Sequence, residues 1–311
     1  MNLPTSRARR ENLLGYLFAA PWLIGFGGLT LVSMTASLFF SLIHWDGINV
    51  DTIRWAGVDN YARALGDGDV AIALWNTAYY SFVSVPLGLA FGLALAMLLN
   101  QPLKGVTLFR TIFYMPAVVG GVATIMMWIW IFNPDYGLLN SALYRFCDGL
   151  AALGWEAAAG WRMPSWIFSQ DWAMPSLILM SLWGTGSAML IFLAALQNVP
   201  DSLYEASDLD GAGRWAKFRY VTVPQISPAL FFNLVMGVIG SFQVFTQAFL
   251  MTNGGPNKAT LFYVLYLYNK AFSDFELGYA SALAWILFLI ILALTALVFR
   301  SGQLWVYYEG E

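Results

Sequence analysis

The sequence predicts an all-α integral membrane protein with six transmembrane helices. Of its 311 residues, 59% are hydrophobic and only 11% are charged, whereas about a quarter of the residues in a soluble domain are charged. Six apolar stretches are each long enough to cross a bilayer, because about 20 helical residues span its hydrocarbon core. A single conspicuous polar segment, residues 204–228, separates the fourth stretch from the fifth.

The predicted spans are residues 14–42, 75–99, 111–132, 174–196, 228–251 and 279–299. A seventh apolar segment, residues 260–272, has only about 13 residues and is rich in tyrosine, so an interfacial or re-entrant helix is expected there. Residues 133–172 contain Trp155, Trp161, Trp166 and Trp172. This composition predicts an aromatic belt and a lid on the external membrane surface.

Basic residues predict the orientation of the chain in the membrane. Arg7, Arg9 and Arg10 precede the first span, where positive charge has the most influence on which side stays in the cytoplasm. This first apolar run is longer than that of a cleavable signal peptide, so an uncleaved helix is expected. An even number of spans then places both termini and residues 204–228 in the cytoplasm.

The same pattern predicts three regions along the chain. Residues 1–70 hold the N-terminal tail, the first helix and an external loop. Residues 71–300 form a five-helix core, and residues 301–311 form a cytoplasmic tail.

The polar segment carries signals of ordered structure. Ser202 and Glu205 are spaced as a capping box at a helix start, and Gly211 stands where a helix of about two turns would end. Pro224 and Pro228 suit the first turn of a following helix. The segment is therefore predicted to be a structured cytoplasmic knob with a short helix, and not a slack linker.

This segment resembles the EAA loop of the permease subunits of bacterial ATP-binding-cassette importers. The family pattern is Glu-Ala-Ala, two variable residues, Asp-Gly-Ala, then Phe, and later Ile-x-Leu-Pro. The positions that match it are Glu205, Ala206, Asp210, Gly211, Ala212, Phe218 and Pro224. Three positions depart mildly from it, since Ser207, Val221 and Val223 replace Ala, Ile and Leu.

The resemblance implies the type-I importer permease fold, in which an extra N-terminal helix often precedes a five-helix core. It also implies that residues 202–224 couple this chain to an ATPase, with a cytoplasmic coupling helix docked in a cleft of the ATPase subunit. The implied partners are a second permease, two ATPase subunits and an extracytoplasmic binding protein, in the inner membrane of a bacterium. Residues 132–140, 251–256 and 260–272 resemble stretches of sugar-importer permeases, so the implied cargo is a carbohydrate.

The chain lacks the residues of a nucleotide-hydrolysing enzyme. A phosphate-binding P-loop ends in Gly-Lys-Ser/Thr, and no Gly-Lys pair occurs in this sequence. The chain is therefore predicted to be non-catalytic and to bind no cofactor, with ATP and Mg²⁺ held by the partner ATPases. Its one cysteine, Cys147, excludes an intrachain disulfide and a cysteine metal cluster, and no metal site is predicted.

The middle parts of the predicted spans contain no charged residue. An uncharged cargo is therefore expected, and a proton-coupled carrier is disfavoured because such carriers need intramembrane ionisable groups. Polar groups can hydrogen-bond a sugar, and aromatic rings can pack on its C–H faces. The candidate pathway residues are Trp183, Asn233, Phe242, Gln243, Thr246 and Gln247.

Within that set, Gln243 and Gln247 are predicted to lie one helical turn apart on one face, with Asn233 on the same side. Helix packing is the alternative role for each polar residue, because hydroxyl and amide groups also join transmembrane helices.

Other functions stay open from the sequence. A permease of the same class could carry glycerol phosphate or another polyol, and a stand-alone secondary carrier could use a sodium site built from carbonyl and hydroxyl oxygens. An integral membrane enzyme is disfavoured because the chain has one histidine and scattered carboxylates. The pairs Gly120-Gly121 and Gly184-x-Gly186 mark either kinks or close helix contacts.

Overall fold

The computed structural model describes residues 6–102, 104–155 and 160–307. Its helices, in chain order, are α1 Ser6–Gly25, α2 Val32–Ser41, α3 Asp59–Gly66, α4 Gly68–Leu99, α5 Val106–Val118, α6 Gly121–Ile131, α7 Leu138–Ala152, α8 Gln170–Trp183, α9 Gly186–Gln197, α10 Asp201–Leu209, α11 Arg214–Lys217, α12 Val223–Gln225, α13 Ser227–Phe242, α14 Thr246–Met251, α15 Tyr263–Tyr268 and α16 Leu277–Gly302. Short π-helical turns occupy Phe26–Leu31, Phe218–Thr222 and Asn269–Ser273, and 3₁₀ turns occupy Val50–Thr52 and Trp166–Phe168. The strands β1 Ile43–His44 and β2 Arg54–Trp55 form an antiparallel pair.

The chain divides into two units by its internal contacts. One unit comprises the residues up to 66 together with 267–286, and the other comprises 67–266 together with the residues from 287 onwards. In the first unit, the fully buried Asn60 donates hydrogen bonds to the carbonyl oxygens of Ser41 and Ile43, each at 3.0 Å. These bonds hold α3 against the turn that follows α2.

Helices of membrane-spanning length confirm the strongest part of the sequence prediction. Leu14–Ser41, Gly68–Leu99 and Leu277–Gly302 are each long and apolar enough to cross a bilayer. Three further spans are counted if each of three bent helix pairs crosses the bilayer as a single span. These pairs are α5 with α6, bent by 99°, α8 with α9, bent by 47°, and Arg214–Gln225 with α13, bent by 68°. By length and composition, the described residues therefore include three to six candidate spans.

The predicted span 228–251 and the tyrosine-rich segment 260–272 are each built from more than one helical piece. The predicted span 228–251 is not continuous, because α13 ends at Phe242 and α14 is a separate helix. The tyrosine-rich segment 260–272 contains the short helix α15 and most of the π-helical turn Asn269–Ser273. Tyr263 and Leu265 in that helix are fully buried inside the protein, so packing against protein accounts for its apolar character.

The second unit is organised around α4, which packs against α8, α9 and α13. Two glycines of α4 allow it to approach the start of α9 closely. A Cβ added at Gly88 would lie 3.6 Å from Thr185, and one added at Gly92 would lie 3.5 Å from Ala188. A buried cluster continues this contact toward one end of the bundle. It consists of Leu95, Ala96, Leu99, Met189, Phe192, Leu193, Leu196, Val199 and Ile226.

Polar side chains of α4 join it to other parts of the same unit. The Ser81 hydroxyl lies 2.6 Å from that of Ser241, and the Thr77 hydroxyl accepts a hydrogen bond from the Tyr263 backbone N–H at 2.9 Å. The Asn76 amide donates to the Lys258 carbonyl at 2.8 Å. These polar residues of α4 therefore hold parts of the protein together, which is the packing role that polar residues often have in transmembrane helices.

The buried side chain of Asn140 holds the segment 133–172 together. Its amide donates to the carbonyl oxygens of Pro134 and Pro164 at 3.0 and 3.1 Å, and its carbonyl accepts from Trp166 Nε1 at 2.7 Å. Trp166 is itself buried, so it is not part of the predicted aromatic belt, whereas Trp155 and Trp161 are exposed.

We expect Asn140→Ala to lower the free energy of unfolding by about 1–3 kcal/mol, because it leaves the Trp166 indole N–H buried without an acceptor. Thermal unfolding of the purified protein in detergent, followed by tryptophan fluorescence, measures this loss. The neighbouring exposed residue supplies the control, Ser141→Ala. Equal melting temperatures for the two variants would contradict the role of Asn140.

Candidate functional site

The second unit encloses a cavity of about 610 Å³, here named the polar cavity. Its wall is formed by residues of α4, α5, α6, α8, α9 and α14 together with the turns between α5 and α6 and between α8 and α9. The polar and aromatic side chains in this wall include those of Tyr80, Thr124, Ser181, Trp183, Ser187, Thr246 and Gln247. This volume is within the usual range of small-molecule sites, about 300–1,000 Å³.

The chemistry of the polar cavity suits an uncharged polyhydroxy ligand. Hydroxyl groups come from five of the lining residues, Tyr80 among them, and an amide comes from Gln247. Tyr80 and Trp183 also supply aromatic rings. No charged side chain is present among the described residues that line it. Hydroxyls and amides exchange hydrogen bonds with sugar hydroxyls, and aromatic faces pack against apolar C–H groups.

A second cavity of about 290 Å³ adjoins the polar cavity. Tyr80, Ser181 and Gly184 border both cavities, so the two form neighbouring parts of one region. Asn233 lines the second cavity. The Asn233 amide donates a hydrogen bond to the Ala229 carbonyl of its own helix at 2.9 Å.

The structure brings together some of the sequence-predicted pathway residues and not others. Trp183, Thr246 and Gln247 line the polar cavity. Phe242 is buried and Gln243 is exposed, and neither lines either cavity.

The predicted common face of Gln243 and Gln247 is wrong, because the helix ends between them. Gln243 caps α13 with φ −103° and ψ 14°, and Phe245 has φ −135° and ψ −60°. No proline or glycine marks this break in the sequence, so the apolar pattern alone could not reveal it. Tyr80 and Thr124 line the polar cavity as well, although they were not predicted from the sequence. Their polar groups within apolar helices were the available signal.

The predicted coupling segment begins with α10, but its start differs from the prediction. The helix begins at Asp201, directly after Pro200, which has extended backbone and provides no side-chain cap. Ser202 therefore lies inside the first turn, and the predicted capping box with Glu205 is not formed. Asp201 instead places a negative charge in the first turn, where it interacts favourably with the helix dipole.

The end of α10 agrees with the prediction. Gly211 has φ +73°, which favours glycine. The Gly211 N–H donates to the Asp208 carbonyl at 3.0 Å, and the Ala212 N–H donates to the Ser207 carbonyl at 2.9 Å. These two bonds are the pair found in a Schellman helix end. Prolines then begin the following helices, Pro224 in α12 and Pro228 in α13, as predicted.

One face of α10 is anchored to the buried cluster of the second unit. Leu203 and Tyr204 pack against that cluster, and the Tyr204 hydroxyl lies 3.0 Å from that of Thr222. The helix is thereby attached to α4 and α9, which supply most of the cluster.

The other face of α10 is exposed. Glu205 and Ala206 lie on the surface, and Leu209 is 91% exposed. The segment that follows adds Trp215 and Tyr220, which are 73% and 77% exposed. This surface combines exposed aromatic and aliphatic side chains with carboxylates, and the opposite face of α10 is packed against the protein. Such a surface is suited to binding a protein partner.

Apolar helices of membrane-spanning length around an uncharged polar cavity define a membrane transport protein. Among the described residues, no group of histidine, cysteine, aspartate and glutamate side chains is arranged to hold a metal ion. Sequence comparison identifies the family: the chain belongs to the binding-protein-dependent transport system inner membrane components, whose profile matches residues 88–304. The resemblance to the permeases of ATP-binding-cassette importers is thus confirmed. Proteins of this family are transport subunits and not catalytic enzymes.

Two relatives and one solved structure illustrate the similarity. The probable ABC transporter permease protein YesP of Bacillus subtilis is 40% identical, over 97% of this chain and 94% of the relative. The lactose transport system permease protein LacF of Rhizobium radiobacter is 31% identical, over 96% of this chain and 97% of the relative. A chain of a bacterial ABC transporter involved in the import of the acidic polysaccharide alginate has the same fold, with a TM-score of 0.78, 19% identity and coverage of 94% and 96%.

Proposed function

We propose that this chain is the permease subunit of an ATP-driven, binding-protein-dependent sugar importer in a bacterial inner membrane. It forms the translocation pathway with a second permease and receives the energy of ATP from two ATPase subunits through residues 202–224. ATP and Mg²⁺ bind on those ATPases. The observation that carries the proposal is the attachment of the exposed helix α10 to the helices that border an uncharged polar cavity.

That attachment supplies a mechanism for coupling. The exposed face of α10, with Glu205 and Leu209, fits in a cleft of the ATPase. Leu203 and Tyr204 on its other face pack on the cluster that includes Leu95 of α4 and Met189 of α9. Since packed interiors transmit displacement instead of absorbing it, a rigid-body movement of α10 shifts α4 and α9, which contribute Tyr80 and Ser187 to the polar cavity.

The coupling residues have different tasks in this mechanism. Glu205 pairs with a basic group on the ATPase, and Ala206 and Ser207 keep the helix narrow enough to enter the cleft. Asp210, Gly211 and Ala212 form the exit from the helix. Phe218 and Pro224 shape the return to the membrane. In this proposal both chain termini and residues 202–224 are on the cytoplasmic side.

The cargo is a neutral sugar. A charged cargo would need compensation inside the membrane, since a single charge at the bilayer centre costs at least about 2.5 kcal/mol, and the polar cavity has no charged lining. A lactose permease is among the relatives. The alginate importer favours a second candidate, an anionic sugar or glycerol phosphate, because the same fold in that protein serves an acidic polysaccharide. The partner permease would then supply the basic groups.

Replacement of one cavity glutamine tests the pathway. In a reconstituted complex of this chain with its partner permease, ATPases and binding protein, Gln247→Leu is expected to raise the KM for uptake of a neutral sugar about tenfold. One lost hydrogen bond of about 1.4 kcal/mol accounts for that change. ATP turnover without sugar should stay at the wild-type level, because Gln247 lies outside the coupling segment.

The matched control is Gln243→Leu, since Gln243 is exposed and lines neither cavity. Equal effects of the two leucine variants on KM would contradict the proposed pathway. Uptake of glycerol phosphate or a uronic acid, without uptake of any neutral sugar, would favour the second candidate instead.

A further inference from the structure

The bend after the coupling segment is fixed by one buried serine. Arg214–Gln225 and α13 meet at 68°, and Ile226 at the bend is fully buried in the cluster that anchors α10. Ser227, the first residue of α13, is 1% exposed. Its hydroxyl donates a hydrogen bond of 2.6 Å to the carbonyl of Pro224, which lies on the other side of the bend.

The residues after α16 return to the same serine. Past Gly302 the chain turns, with the Val306 N–H donating to the Gly302 carbonyl at 2.9 Å. The Tyr307 N–H then donates to the Ser227 hydroxyl oxygen at 2.8 Å. The hydroxyl of Ser227 is therefore bonded on both sides, to the end of the coupling segment and to the C-terminal residues.

Aromatic rings strengthen this contact. Phe231 lies one helical turn beyond Ser227 in α13, and its ring centroid is 5.1 Å from that of Phe299 and 6.0 Å from that of Trp305. Such edge-to-face pairs stabilise a contact beyond the area that the two rings bury. Gly302 allows the Phe231 ring to approach α16 closely, because a Cβ there would lie 2.7 Å from a carbon of that ring.

We propose that residues 303–307 form a brace that holds the bend between the coupling segment and α13, with Ser227 and Trp305 as positioning residues for coupling. This inference rests on the proposed function. A displacement of the coupling segment reaches α13, and with it the cavity that Asn233 lines, only if the angle at the bend is maintained. With the brace loosened, the bend flexes and absorbs part of the displacement, so less of it reaches the cavities.

The test uses the full chain in the reconstituted complex with the ATPases and the binding protein. Trp305→Ala and Ser227→Ala are expected to speed hydrogen–deuterium exchange of peptides from residues 214–227 by about threefold to tenfold. They are also expected to lower the stimulation of ATP turnover by the binding protein by a similar factor. Trp305→Phe keeps a ring against Phe231, so its exchange rate and its stimulation of ATP turnover should be close to those of the wild type.

Leu304→Ala is the matched control, because Leu304 lies in the same turn and is 88% exposed. The brace is refuted if Trp305→Ala and Leu304→Ala give the same exchange and the same stimulation. A wild-type complex that shows no ATP turnover would refute the proposed function, and the coupling role of the brace with it. In that case the exchange measurement still decides whether residues 303–307 hold the bend.

Discussion

Gly211→Pro is expected to reduce ATP turnover of the assembled complex by more than about tenfold. The backbone at Gly211 has φ +73°, whereas proline requires φ near −65°. Proline also lacks the N–H that bonds to the Asp208 carbonyl at 3.0 Å. The end of α10 must therefore change its path, and the exposed face of the helix no longer points at the ATPase in the same orientation.

Two alanine variants separate the backbone effect from a steric one. A Cβ added at Gly211 or at Gly213 would meet no atom within 4 Å, so neither position is crowded. Gly213 has φ −70°, which any residue adopts, and Gly213→Ala should behave as wild type. Gly211→Ala should show an intermediate loss, since a left-handed backbone costs an alanine about 1–2 kcal/mol.

ATP turnover of the purified complex, with its composition checked by gel filtration, measures these effects. Wild-type turnover in an intact Gly211→Pro complex would show that the end of α10 has no role in coupling.

Gly186→Ala is expected to lower the free energy of unfolding by about 2–3 kcal/mol, a large effect for the addition of one methyl group. The new Cβ would lie 2.6 Å from the Phe113 carbonyl oxygen and 3.0 Å from the Tyr114 Cα. Both are backbone atoms of α5 and cannot rotate away, so α9 must move away from α5. Ser187, the next residue, would move with it and change the wall of the polar cavity.

The other glycine of the same pair is the control. A Cβ at Gly184 would come no closer than 3.6 Å to any neighbour, the Ser181 carbonyl oxygen, so Gly184→Ala should change the melting temperature far less. Thermal unfolding in detergent compares the two variants directly. If they melt at the same temperature, close packing at Gly186 is not what stabilises the contact between α5 and α9.

These glycines illustrate what the sequence could and could not predict. Apolar length predicted the three single helices of spanning length, because it depends on a local run of residues. The end of α10 was predictable because the positive φ at that position favours glycine. Gly184-x-Gly186 could not be assigned to a kink or a contact, since that depends on which backbone lies opposite. The structure has both, a 47° bend at the pair and a close contact at Gly186.

The candidate site was harder to predict than the fold. The break between Phe242 and Thr246 has no local signal, so Gln243 and Gln247 were placed on a common face that does not exist. The start of α10 at Asp201 depends on the extended backbone of Pro200. The spacing of Ser202 and Glu205 carries no information about that backbone, so it predicted a later start. The sequence alone does not distinguish a polar residue that packs inside the protein, such as Thr77, from one that lines the cavity, such as Gln247.

ATP-driven uptake by reconstituted vesicles tests the central claim most directly. The complex of this chain with its partner permease and ATPases would be sealed in vesicles with MgATP inside and the binding protein outside, and offered labelled neutral sugars, a uronic acid and glycerol phosphate. We expect uptake of a neutral sugar that requires internal ATP and is lost with Gly211→Pro. Uptake by this chain alone, driven by a sodium or proton gradient without ATP, would contradict it.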